Sequence, residues 1–203
     1  MSEAAVRTER DYLKYTFFAV MAACWLLVIY VDERFLVIDS DPEWQHIAEF
    51  KWWLLLHGLA GAAALAIGPL QFSNRIRKRR PQLHRLTGRV YVGAICLIAA
   101  PIGMYVGTTY EPKEVYIEQY FQAGLWWLTT AIAFICILNR QIEQHKVWMM
   151  RSYAFCLVFI LSRVPDAFIK MSDQLVADML WSLVIVALIS PDLVQTARKL
   201  RPR

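Results

Sequence analysis

Apolar residues along this chain fall into long runs separated by short, densely charged segments. They show neither the alternation of a half-buried strand nor the narrow stripe of a surface helix. Six stretches stand out, approximately Tyr15–Val31, Trp52–Phe72, Gly88–Thr108, Tyr120–Leu138, Val147–Phe168 and Val176–Val194. A helix crosses the hydrocarbon layer with about 20 mostly apolar residues at a rise of about 1.5 Å each. The pattern predicts an all-α polytopic membrane protein, a bundle of six transmembrane helices. Arg7, Arg10 and Lys14 ahead of the first, shortest run resemble the head of a secretory signal. No small-residue cleavage site follows, and the run leads straight into Val31-Asp32-Glu33-Arg34, so a retained helix is expected. Pro101 and Pro165 interrupt spans three and five and predict kinks whose freed carbonyls find partners on neighbouring helices. Without an internal repeat, a low-complexity tract or a long linker, residues 1–203 read as one domain.

Charge orients the bundle. Between spans two and three lie Arg75, Arg77, Lys78, Arg79, Arg80, Arg85 and Arg89 with no acid among them, which predicts a cytoplasmic loop. Asp32, Glu33, Asp39, Asp41, Glu43 and Glu49 dominate between spans one and two, and Glu111, Glu114 and Glu118 outnumber Lys113 between spans three and four. These segments are expected to face outward. The tail Arg198-Lys199-Leu200-Arg201-Pro202-Arg203 is basic again, so both termini are expected inside, in the cell (plasma or inner) membrane. Trp44, Trp52, Trp53, Tyr110, Trp126 and Trp127 then collect near the outer boundary, with Tyr91 and Trp148 near the inner one.

Composition agrees with a bilayer solvent: 58% of the 203 residues are hydrophobic and 19% charged. The net charge of +5 does not signal nucleic acid, because the basic residues sit at span edges and chain ends. Cys24, Cys96, Cys136 and Cys156 stand singly in different runs, without C-x-x-C, and read as reduced packing residues. No G-x-x-x-x-G-K-[ST], H-E-x-x-H, G-x-S-x-G or G-x-G-x-x-G is present. Nucleotide hydrolysis, zinc proteolysis and serine hydrolysis therefore have no recognisable apparatus.

Two places hold candidate chemistry. In span two, helical spacing puts His57, Gly61, Ala64 and Gly68 on one nearly flat face. Such a face admits either a neighbouring backbone or a planar cofactor beside the imidazole. His57 lies roughly 7 to 8 Å inside the outer end of its span, and Met104, Trp127 and Arg163 are expected at its level. Asp166, three residues from Arg163, is an alternative partner for that arginine. His46, in the acidic loop, reads as solvated.

At the basic end, His84 in Leu83-His84-Arg85 and His145 in Gln144-His145-Lys146 stand at equal depth, each opening a span with arginines near by. Two neutral imidazoles on neighbouring helices suit axial ligation of a b-type haem, and Arg85, Arg89 and Arg151 suit its propionates. Gln71 is placed to reach this cluster or to cap its own helix, and Tyr153 follows Arg151 at the same edge. The plainer alternative makes the cations topology signals and lipid-phosphate ligands. His57, about 22 Å farther along its helix, cannot share that iron.

The blocks His57 with Gly61, Gly68-Pro69-Leu70-Gln71-Phe72, His84-Arg85 with Gly88-Arg89 and Tyr91, and His145 with Trp148-Met149 and Arg151-Ser152-Tyr153-Ala154 resemble a family of bacterial membrane proteins, DUF2306. The resemblance runs from span two through span five, about residues 50–168, and carries no activity with it. The architecture and histidine use are similar to multi-helix cytochromes of the b561 type, an analogy that favours haem. Three functions stay open. One is haem-dependent electron transfer with a redox partner. Another is a proton or ion path lined by His57, Arg163 and Asp166, although no repeated halves or broken-helix pair accompany it. The third is a small subunit or assembly factor of a membrane complex.

Overall fold

The computed structural model of the chain describes residues 3–31, 45, 47–110, 113–166, 168–169 and 171–200. Trp44, His46, most of the acidic loop before span two and the side chain of Asp166 lie outside the described residues.

The described residues form seven helices in chain order: α1 Glu3–Val31, α2 Lys51–Gln71, α3 Asn74–Arg79, α4 Pro81–Tyr110, α5 Lys113–Leu138, α6 Ile142–Asp166 and α7 Asp173–Leu200. Five are long and apolar enough to cross a membrane, namely α2 and α4 to α7. In α1 the apolar part is shorter, Tyr15–Val31. The chain is a multi-pass membrane protein, and its exposed apolar faces suit lipid: Trp52 is 73% and Leu97 78% exposed.

α2, α4, α5 and α7 form an arc, each touching the next, and α6 lies in its hollow against α2, α5 and α7. α1 packs on α6. Accordingly α6 is the most buried span, with Phe155, Val158 and Ile160 enclosed.

Local sequence explains the helix ends. Ser73 caps α3 by accepting from the Ile76 amide at 3.3 Å, and Pro81 starts α4 at a position where its missing N–H costs nothing. α5 closes in a Schellman turn: the Gln141 amide donates to Cys136 O at 2.8 Å and the Arg140 amide to Ile137 O at 3.1 Å. Arg140 occupies the left-handed position with φ 60°, where glycine is usual. The turn is short, so α6 starts directly beside the end of α5.

α4 is not uniform. Residues Ala94–Ala99 form a π-helical segment just before Pro101. Proline lacks the N–H that would bind a carbonyl one turn back. The Cys96 carbonyl is instead satisfied by the Trp127 indole N–H of α5 at 3.1 Å, as expected for a kink repaired by a neighbour. Pro165 falls in the last turn of α6, where few helical bonds remain for it to break.

Two members of the expected aromatic belts are buried instead. Tyr91 is fully enclosed and Trp126 is 8% exposed, both in the main core. Of the adjacent pair Trp126 and Trp127 only one can face inward, because successive helical side chains point about 100° apart.

Candidate functional site

His84 and His145 occupy equivalent places. Each amide donates to the carbonyl four residues earlier, Arg80 and Gln141 respectively, in the first turn of α4 and α6. The short α5–α6 turn brings the His145 ring against α5, where Nδ1 lies 2.8 Å from Ala133 O. A carbonyl only accepts, so Nδ1 carries the proton and a neutral ring keeps its lone pair on Nε2. Histidines that ligate metals are usually oriented by such a bond. His84 differs: its Nδ1 is buried and has no hydrogen-bond partner among the described residues. The two imidazoles lie within electrostatic range of each other.

The cations expected around them divide. Arg151 is engaged: it donates to Asp192 at 2.6 Å and to Leu188 O at 3.2 Å, and its guanidinium lies 4.6 Å from the Trp148 ring centroid. It therefore ties α6 to α7. Arg85 turns its Nε back to Pro81 O at 3.4 Å, and Arg89 is exposed. Gln71 donates to Thr87 Oγ1 at 2.7 Å, clamping the end of α2 to α4. Thr87 Oγ1 in turn lies 3.3 Å from His84 O, so Gln71 meets the cluster through a threonine. Tyr153 points the other way, donating to Leu65 O at 3.3 Å with its ring over Gly68 and against Phe18 and Phe72. The lower part of the flat α2 face is thus filled by Tyr153.

His57 forms a second centre. Its Nδ1 lies 2.8 Å from Ala99 O, at the end of the π-helical segment. Gly103 makes this approach possible, since a Cβ there would meet His57 Cε1 at 3.0 Å. His57 also lines a small cavity of about 60 Å³ between α1, α2, α5 and α6, together with Trp25, Gly61, Trp126 and Cys156. Of the residues expected at this level, Arg163 is in electrostatic range of His57 and rests over Phe159. Met104 packs its methyl near Gly124, and Trp127 serves the α4 kink.

Between the two centres runs a buried chain of hydroxyls. Thr130 donates to Trp126 O at 2.7 Å, so Ser152 Oγ, 2.7 Å away, donates to Thr130, and Tyr91, at 2.9 Å, donates to Ser152. The Trp126 indole N–H faces the same tyrosine hydroxyl without a hydrogen bond of normal geometry. Trp126, Thr130 and Ala133, spaced i, i+4 and i+7, therefore place the His57 cavity, the hydroxyl chain and the His145 anchor along one face of α5.

Sequence reasoning missed Gly103, the Trp126 cavity wall and Glu118. The last was expected in an outward-facing loop, but it lies in α5, 6% exposed, accepting from Trp181 Nε1 at 2.6 Å with its other oxygen buried and unpartnered. The interhelical partner on α7 is not visible from local sequence. Among the described residues, no three His, Cys, Asp or Glu side chains gather as a metal-holding group.

No curated protein and no solved structure matches the chain. The family model described as "Predicted membrane protein (DUF2306)" matches residues 54–194, reaching beyond span five into α7. This is well over half of the 203 residues and takes in His57, His84 and His145 with the helices that carry them, so the chain belongs to the DUF2306 family.

Proposed function

We propose that this protein binds a b-type haem at its basic end, with His84 and His145 as the axial pair, and passes electrons within or across the membrane. The observation that carries the reading is that the two histidines open α4 and α6 at one end of the bundle, within electrostatic range of each other. His145 is anchored through Nδ1 with the lone pair of Nε2 left free to bind iron, and His84 holds a buried Nδ1 without a partner among the described residues. A buried polar atom left unbonded costs about 1–3 kcal/mol, which would be offset only if His84 bound iron through Nδ1 itself. Backbone-anchored neutral imidazole is the ligand type suited to haem iron, which when bound supplies one-electron chemistry. The protein's part is to hold both rings at one end of the bundle and present Arg89 to the propionates. Arg151 is excluded from that role by its bonds to Asp192 and Leu188.

The proposal includes six crossings, with α1 as the additional span and both termini on the side of the basic segment, in the cell membrane. The asymmetry of Lys and Arg between connecting segments supports it. Purified protein from haem-replete cells should show a Soret band that shifts on reduction and is lost in His84→Ala and His145→Ala. His57→Ala should retain it. A folded but colourless preparation would overturn the proposal.

A second reading attaches to His57, which lines the small cavity described above. In it the chain carries protons or a small ion past His57 and Arg163. Flux into proteoliposomes that drops in His57→Ala would favour this reading over electron transfer, and equal flux would remove it.

A further inference from the structure

The small His57 pocket belongs to the second reading above, and the buried Tyr91–Ser152–Thr130 chain ends on a backbone carbonyl, so neither offers a further outlet. The basic end does. Arg79, Arg80, Pro81, Gln82, Leu83 and Arg85 line an open cleft of about 520 Å³ where α3 meets α4. Among the described residues none of these three arginines pairs with a carboxylate, and the segment from Ser73 to Tyr91 contains no acid at all. Among the described residues, the cleft is therefore positive with no carboxylate paired to its arginines.

Below it, the outward side of α4 is greasy. Leu83, Leu86 and Val90 follow at i, i+3 and i+7 and are 36%, 60% and 46% exposed. Leu97 continues the exposed apolar surface one further stretch along the span. A cationic cleft opening directly onto an apolar lane has the two-part shape of a membrane lipid, anionic at one end and hydrocarbon below.

We infer that this cleft is a binding site for an anionic phospholipid, with the headgroup phosphate held by Arg79, Arg80 and Arg85 and an acyl chain laid along Leu83, Leu86 and Val90. Guanidinium groups match phosphate by paired hydrogen bonds, and a site at the membrane edge lets the lipid enter sideways without leaving the bilayer. The inference is independent of haem, because it uses neither imidazole.

The test uses the full chain in detergent, titrated with phosphatidylglycerol or phosphatidylcholine of identical acyl chains, and counts retained lipid by native mass spectrometry. The expected result is preferential retention of phosphatidylglycerol, falling at least about tenfold in Arg79→Gln/Arg80→Gln/Arg85→Gln. Each basic side chain near an anionic lipid is worth about fivefold. Arg140→Gln, an exposed arginine at the same end of the bundle, should leave retention unchanged. Should the triple variant misfold, Arg80→Gln and Arg85→Gln singly, each expected to weaken retention about fivefold, decide the question. Equal retention of the two lipids, a preference that survives the arginine variants, or an equal loss in Arg140→Gln would overturn the inference. Displacement of phosphatidylglycerol by millimolar inorganic phosphate with no effect of Leu86→Gln would also overturn it, in favour of a free-phosphate site.

Discussion

Gly68 and Gly61 share one face of α2, yet their surroundings give them opposite sensitivities. A Cβ at Gly68 would overlap the Tyr153 ring, whereas at Gly61 it would meet nothing within 4 Å. Gly68→Ala is expected to destabilise the fold by about 1–3 kcal/mol through overpacking. Gly61→Ala should be neutral or slightly stabilising through helix propensity. Thermal unfolding in detergent, followed by tryptophan fluorescence, distinguishes the two; equal shifts would contradict the packing described. Ser152 supports a different expectation, since it is the middle member of the buried hydroxyl chain. Ser152→Ala should cost about 1–2 kcal/mol. Combined with Thr130→Val, it should cost less than the sum of the two single changes, because the same chain is broken only once. The histidines were legible in the sequence because a polar ring at the edge of an apolar run has few ordinary explanations. Gly103 was not, because its role depends on His57, 46 positions away, arriving at that level of α4.

The long helices were largely readable from hydropathy, with ends shifted by a few residues. α4 begins at Pro81 and not Gly88, since its first two turns carry the polar and basic residues that a hydropathy reading excludes. The π-helical segment was not readable: Ala94-Ile95-Cys96-Leu97-Ile98-Ala99 would suit an ordinary α-helix, and only Pro101 hinted at a disturbance. Its consequence is a carbonyl that needs an outside donor. Trp127→Phe removes that donor from Cys96 O and is expected to cost about 0.6–1.7 kcal/mol, the range for hydrogen bonds between membrane helices. No loss of thermal stability would mean the kink closes its own bonds. The α5–α6 turn gives the converse case. Arg140 holds a left-handed conformation that glycine adopts freely, so Arg140→Gly should raise the unfolding midpoint, by up to about 1 kcal/mol in stability. A decrease would mean that the arginine side chain contributes more than the backbone strain removes.

For the assembled bundle, the alternation of basic and acidic connections sets the expected topology, and the six crossings proposed would return the chain to its starting side. A fluorescent protein fused after Arg203 should be bright and a phosphatase at the same place inactive, the signature of a cytoplasmic end. The reverse pattern would contradict the proposed orientation. How the helices pack was not legible from one sequence, because nothing in the apolar runs says that α6 rather than α2 occupies the hollow of the arc. His145 on α6 and His84 on α4 nevertheless come within electrostatic range of each other at the same end. The most direct test of what this meeting is for is the haem content of the purified, unmodified chain, measured as the pyridine haemochrome against protein concentration. One b-type haem per chain is expected. A ratio near zero in well-folded protein from cells supplied with haem would contradict it.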